Sequence, residues 1–207
     1  MTNPQKKSKA YSSMARSKKR ARVYVFRSFL AVSFACILCC GLFAQEQRRA
    51  PEISGTVWFN SGAYKNRPSM KVMRGKVILM FFWTLNDPTC ENVATYLNNW
   101  YEEYKDRDFE IIGVHTPEWR FNNSESELFK KVDELGILFP IVVDSKSSIR
   151  NAYGRLMWPS FTLIDRDGYI RAQFEGVAGW RAMRRMLETL LEESGYDPRL
   201  RRAEVQR

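Results

Sequence analysis

The run KVILMFFW, residues 76–83, followed within a few positions by Asp87-Pro88, constrains this chain more than any other stretch. A continuous apolar segment of that length reads as a strand covered on both faces. Asp is a favoured N-cap and Pro suits the first helical position, so a helix is expected to open directly after the strand. Val93, Tyr96, Leu97, Trp100, Tyr101 and Tyr104 then recur at helical spacing.

The alternation continues along the chain. FEIIGVH (109–115) reads as a second strand, and Ser124-x-x-Glu127 is a capping box. The helix it opens is expected to turn Leu128, Phe129, Val132 and Leu135 inward. FPIVVD (139–144) is a third strand, and SSIRNAY is a short helix. In MWPSFTLID a proline stands at the mouth of the next strand. Asp167-Gly168 is a strong hairpin turn before YIRAQFEG. An amphipathic helix from about Trp180 to Glu193 follows, with Met183, Met186, Leu187, Leu190 and Leu191 inward. The order β-α-β-α-β-α-β-β-α predicts an α/β fold, a central mixed sheet with helices on both faces.

The net charge of +10 invites a nucleic-acid reading, but its distribution excludes one. Of the 33 Lys and Arg, nine lie in residues 1–27 with no acid, which leaves 24 against 23 Asp and Glu. The basicity belongs to a tail, not to the domain surface that a nucleic acid would need. Residues 28–44, SFLAVSFACILCCGLFA, carry no charge. Basic residues ahead of an apolar run orient it by the positive-inside rule. The run is at the short end for crossing a bilayer of about 30 Å. It reads as an uncleaved membrane anchor, with a cleaved signal ending near Ala44 as the alternative. Either way the rest of the chain is expected outside the cytoplasm. The organisation is then a basic tail (1–27), the apolar segment (28–44), a linker (45–54), the folded domain (55–195) and a charged tail (196–207).

Three of the four cysteines, Cys36, Cys39 and Cys40, lie in the apolar run and read as small hydrophobes. Cys90 is therefore alone in the exported part and has no partner there for a disulfide. His115 is the single histidine, so no multi-histidine metal site exists. No metal and no cofactor are expected.

The stretches APEISGTVWFNS (50–61), RGKVILMFFWT (74–84), IIGVHTPEW (111–119) and AYGRLMWPSFTLIDRDGYIR (152–171) resemble the thioredoxin fold. More narrowly, they resemble the extracytoplasmic thioredoxin-like domains of the TlpA and DipZ type. In that family the helix opens with C-x-x-C; the first cysteine attacks a substrate disulfide and the second resolves the mixed disulfide. Carried over, the second cysteine falls on Cys90 and the first on Asp87. Many relatives place an acid just before the Phe-Trp pair, and here that position is Phe81. The family's cis-proline, beside the redox site, maps onto Pro159.

The resemblance implies a thiol-disulfide oxidoreductase fold in which ordinary dithiol exchange is not supported. Asp87 is either a plain N-cap or a catalytic base or polar guide beside Cys90. Cys90 is either a small buried thiol or a single reactive one. The second option includes a peroxidase, since peroxiredoxins carry T-x-x-C where this chain has Asp87-x-x-Cys90; a carboxylate there disfavours the thiolate. His115 packs or hydrogen-bonds at a strand end, with proton transfer as the alternative. Trp83, Trp158 and Pro159 are candidates for the rim of a groove that holds an extended peptide, with core packing as the alternative for each. The partner class implied is an extracytoplasmic protein or peptide.

Overall fold

The computed structural model describes residues 48–65, 68–117, 124–155 and 157–193. The basic tail, the apolar run 28–44, the Glu118-Trp119 end of GVHTPEW and the tail 196–207 lie outside the described residues. Among the described residues no helix is long and apolar enough to cross a membrane.

The elements are β1 (Trp58–Phe59), a 3-10 turn (Gly62–Tyr64), β2 (Val77–Trp83), α1 (Pro88–Tyr104), β3 (Phe109–His115), α2 (Glu125–Glu134), β4 (Ile141–Val143), α3 (Ser148–Ala152), β5 (Ser160–Ile164), β6 (Ile170–Glu175) and α4 (Trp180–Glu192). The described strands form one sheet in the order β1-β4-β3-β2-β5-β6. β2 is parallel to β3 and antiparallel to β5, so it occupies the centre. Every residue of β2 and β3 is buried, and in β2 this leaves an unbroken apolar run, whereas β3 also buries Glu110 and His115.

Alternation along β2 feeds two cores. Val77, Leu79, Phe81 and Trp83 join α1, α2 and α4 on one face; Ile78, Met80 and Phe82 join Ile53, Met70, Met73, Ile149 and Tyr153 on the other. Phe81 lies at the middle of an aromatic stack, with ring centroids 5.5 Å from Phe161 and 6.0 Å from Trp83. Each such pair contributes about 0.5–1.5 kcal/mol beyond area burial.

Local chemistry explains the boundaries. The Asp144 carboxylate accepts the N–H groups of Ile149 (3.1 Å) and Arg150 (2.8 Å), which starts α3. The Ser124 hydroxyl accepts from Glu127 N at 3.1 Å and starts α2. At the Asp167-Gly168 turn, Gly168 takes φ 78°, and the Asp165 carboxylate accepts from Asp167 N (3.0 Å) and Tyr169 N (2.9 Å). The Arg166 guanidinium donates to the terminal carbonyls of α4, 2.7 Å to Leu190 and 3.3 Å to Leu191. A cation there offsets the helix dipole.

Three features differ from the sequence reading. β1 was not expected; two residues carry no periodicity, and the strand exists because Trp58 and Phe59 pair with Val142 and Ile141. Residues 48–54, read as linker, lie against the domain: Ala50 N donates to Gly168 O (2.9 Å), Tyr153 Oη donates to Pro51 O (2.7 Å), and Ile53 is buried. Phe129, expected inward, is 61% exposed, and Tyr96, one of the residues at helical spacing in α1, is 46% exposed. Phe129 meets β1 across Phe59, with centroids 5.9 Å apart.

Candidate functional site

The start of α1 is built by Asp87. In an extended conformation (φ −101°, ψ 112°), its carboxylate accepts from Thr89 N at 2.8 Å and from Cys90 N at 3.0 Å. Pro88, which has no N–H to satisfy, fills the first helical position. The carboxylate is thus committed to the helix, as an N-cap.

Cys90 begins the buried stripe of α1, which continues through Val93, Ala94, Leu97, Trp100 and Tyr104. It is a free thiol with no exposed surface. Burial first, and then the neighbouring Asp87 carboxylate, push the thiol up to about 12, although a hydrogen bond with the Thr84 backbone acts in the opposite sense. At neutral pH the protonated thiol is therefore the favoured form. The helix dipole that would favour a thiolate is already matched by Asp87.

The surroundings are equally apolar. Phe81 is fully buried in the aromatic stack and supplies no acid or base beside Cys90. Trp83, read as a candidate groove rim, has no exposed surface. It shares a face with Phe81, so the pleat turns it into the core, where its ring meets His115 edge-on at 5.3 Å. Gly113 leaves room for it: a Cβ there would stand 3.4 Å from Trp83 Nε1 and 3.1 Å from Ile141 Cγ1. His115 is itself buried, and burial lowers its imidazole to about 4. It is a neutral packing residue, with no hydrogen-bond partner among the described residues.

The Trp158–Pro159 peptide is cis. Pro159 is buried, so it does not form a rim; its carbonyl accepts from Gly176 N at 2.8 Å. Trp158 is half-buried, with the Arg150 guanidinium 4.3 Å above its ring. An open groove lies between α1 and the start of α4. Thr89, Asn92, Val93 and Tyr96 form one wall, Val177 and Trp180 the other, around about 400 Å³. It starts inside the Asp87-Pro88-Thr89-Cys90 stretch, and its far wall begins one residue after Gly176. Sequence reasoning missed this groove because Val177 is a single apolar residue in a turn and Tyr96 fits an inward stripe. No group of His, Cys, Asp and Glu suited to a metal occurs among the described residues.

The Redoxin family model matches residues 45–191. The chain belongs to the Redoxin family. DipZ of Mycobacterium tuberculosis is 33% identical to this redoxin over 147 residues, which is 70% of the chain and 21% of DipZ. The thiol-disulfide oxidoreductase ResA of Geobacillus thermodenitrificans is 30% identical over 117 residues, 56% of the chain and 64% of ResA. The redoxin thus spans about a fifth of DipZ and less than two thirds of ResA. Among solved structures, the thioredoxin-like superfamily protein SPOA0173 superposes with a TM-score of 0.63 at 26% identity, covering 72% of this chain and 99% of that one. A thiol:disulfide interchange protein DsbE from Chlorobium tepidum, described as putative, superposes at 0.60 and 20% identity, covering 70% and 96%, and shows the fold alone.

Proposed function

We propose that this redoxin is a membrane-anchored, extracytoplasmic polypeptide-binding module that keeps the thioredoxin-like scaffold without dithiol exchange. The buried Cys90 thiol, pushed up to about 12 beneath an Asp87 that caps the helix, carries this reading. A dithiol site needs an exposed attacking thiolate, and Asp87 occupies the position that the family gives to it. A carboxylate has no disulfide chemistry. The anchor and the compartment rest on the basic tail ahead of the uncharged run 28–44.

The test pairs two assays on the full-length chain. With dithiothreitol as reductant, insulin disulfides are expected to be reduced no faster than by dithiothreitol alone. The aggregation of a reduced, unfolded test protein is expected to slow when the chain is added. Reductant-dependent turnover that Cys90→Ser abolishes would replace the binding module with a single-thiol enzyme.

A further inference from the structure

We infer that the groove between α1 and the start of α4 docks an extended peptide segment carrying a bulky apolar side chain flanked by acidic residues. This rests on the polypeptide-binding reading above and names the partner's chemistry. The groove's apolar surface is concentrated in one place. Val177 and Tyr96 are 48% and 46% exposed and lie on its opposite walls. Its back is rigid: the Trp180 ring stands 5.0 Å from Tyr96, 4.7 Å from Trp100 and 5.8 Å from Phe161. An anchor entering it meets a preformed aromatic surface and orders little of the protein.

Polar groups stand at the end nearest the Asp87 cap. The side chains of Thr89 and Asn92 make no hydrogen bond among the described residues, and both line the groove. A hydroxyl and an amide offer a donor and acceptors suited to a peptide backbone. No charged residue lines the groove, so the anchoring side chain is uncharged.

Charge enters at the rim. Arg184 is neutralised, 2.6 Å from Glu103 of α1 and 3.0 Å from Glu188. Arg181 and Arg185, one step round the same flank of α4, are exposed and form no ion pair among the described residues. Arg181 follows Trp180, a wall residue, directly, and Arg185 lies about one turn further along the exposed flank of α4. Their charge complements acidic residues next to the anchor and contributes mainly to selectivity and encounter rate.

The test uses the full-length chain and fluorescein-labelled peptides read by anisotropy. One peptide has a Trp-Leu centre flanked by Asp pairs, a second has the same centre flanked by Lys pairs, and a third has an Ala-Ala centre flanked by Asp pairs. The Asp-flanked Trp-Leu peptide is expected to bind about tenfold tighter than the Lys-flanked one at low salt, with the gap closing as salt rises. The Ala-Ala peptide is expected not to bind. Arg181→Glu with Arg185→Glu is expected to invert the charge preference. Val177→Asp, an exposed position, is expected to abolish binding with an unchanged thermal melt. Equal binding of all three peptides, or no effect of either variant on binding, would overturn the groove assignment. So would binding of N-acetyl-tryptophanamide as tight as that of the peptide, which would mark a small-molecule site. If the assignment fails while the chain still slows aggregation of an unfolded protein, the polypeptide-binding reading stands; if the chain binds no unfolded protein, that reading fails with it.

Discussion

The Asp87 carboxylate accepts the backbone N–H of Cys90 at 3.0 Å, so it caps the helix directly above a buried thiol. The contact supports the α1 start, while burial, more than the Asp87 charge, raises the thiol. It also divides the roles open to Asp87 experimentally. Asp87→Ala leaves the N–H groups of Thr89 and Cys90 without that acceptor and is expected to cost about 1 kcal/mol in urea unfolding. Asp87→Asn and Asp87→Ser are expected to recover most of it. A loss of peptide binding in Asp87→Asn at full stability would show that the carboxylate has a direct chemical role.

Asp87→Cys is expected to create an exchange-competent pair. A thiolate at the N-terminus of α1 attacks a substrate disulfide, forming a mixed disulfide and releasing the substrate's other sulfur. Cys90 then gives up its proton, attacks the mixed disulfide and closes the pair, releasing the second substrate sulfur; dithiothreitol restores the dithiol. Insulin reduction above the dithiothreitol background is the readout, and the parent chain is expected to show none. The rate is expected to be modest, because Phe81 supplies no acid or base.

His115 makes the fold sensitive to acid. Its folded value of about 4 lies below the ordinary 6.5, so its contribution is present above pH 6.5 and is lost as pH falls through about 4. The full difference is on the order of 3 kcal/mol. Glu110, raised chiefly by burial, acts in the opposite sense: its contribution is present below the ordinary carboxylate value and fades as pH rises through its folded value. Comparing the chain with His115→Phe at pH 7 and pH 4.5 cancels the Glu110 effect. The parent is expected to lose more stability over that interval than the variant. The single histidine also gives a direct NMR readout, with no titration of the ring expected near pH 6.5.

Gly113→Ala tests the packing of Trp83. The added Cβ would meet Ile141 Cγ1 at 3.1 Å, Phe139 Cε2 at 3.2 Å and Trp83 Nε1 at 3.4 Å, all in the closed core. The expected loss is about 1–3 kcal/mol, with a change in the near-ultraviolet signal of Trp83. An unchanged melt would mean that the ring has room to move.

What was legible in the sequence was local. β2, β3 and the Asp87-Pro88 helix start are each encoded by contiguous residues, and each appears within a residue or so of its expected bounds. What was not legible depends on distant pairing or on facing. β1 is made by Val142 and Ile141, far along the chain. Trp83 shares a face with Phe81, and only the pleat together with Gly113 turns it inward rather than to a rim. Tyr96 fits a buried stripe by spacing, yet it stands at the edge of α1, opposite Val177 across a groove that only tertiary structure creates.

Cys90 is expected to be chemically silent in the native fold. The most direct measurement is its rate of alkylation by iodoacetamide against pH, with and without denaturant, in the full-length chain. Peptide mass spectrometry would follow Cys90 apart from Cys36, Cys39 and Cys40, with Cys90→Ser as the blank. Native labelling is expected to be negligible up to at least pH 9, with full labelling on unfolding. Rapid native labelling with an apparent value below about 8.5, that of a free thiol, would show instead that Cys90 is reactive.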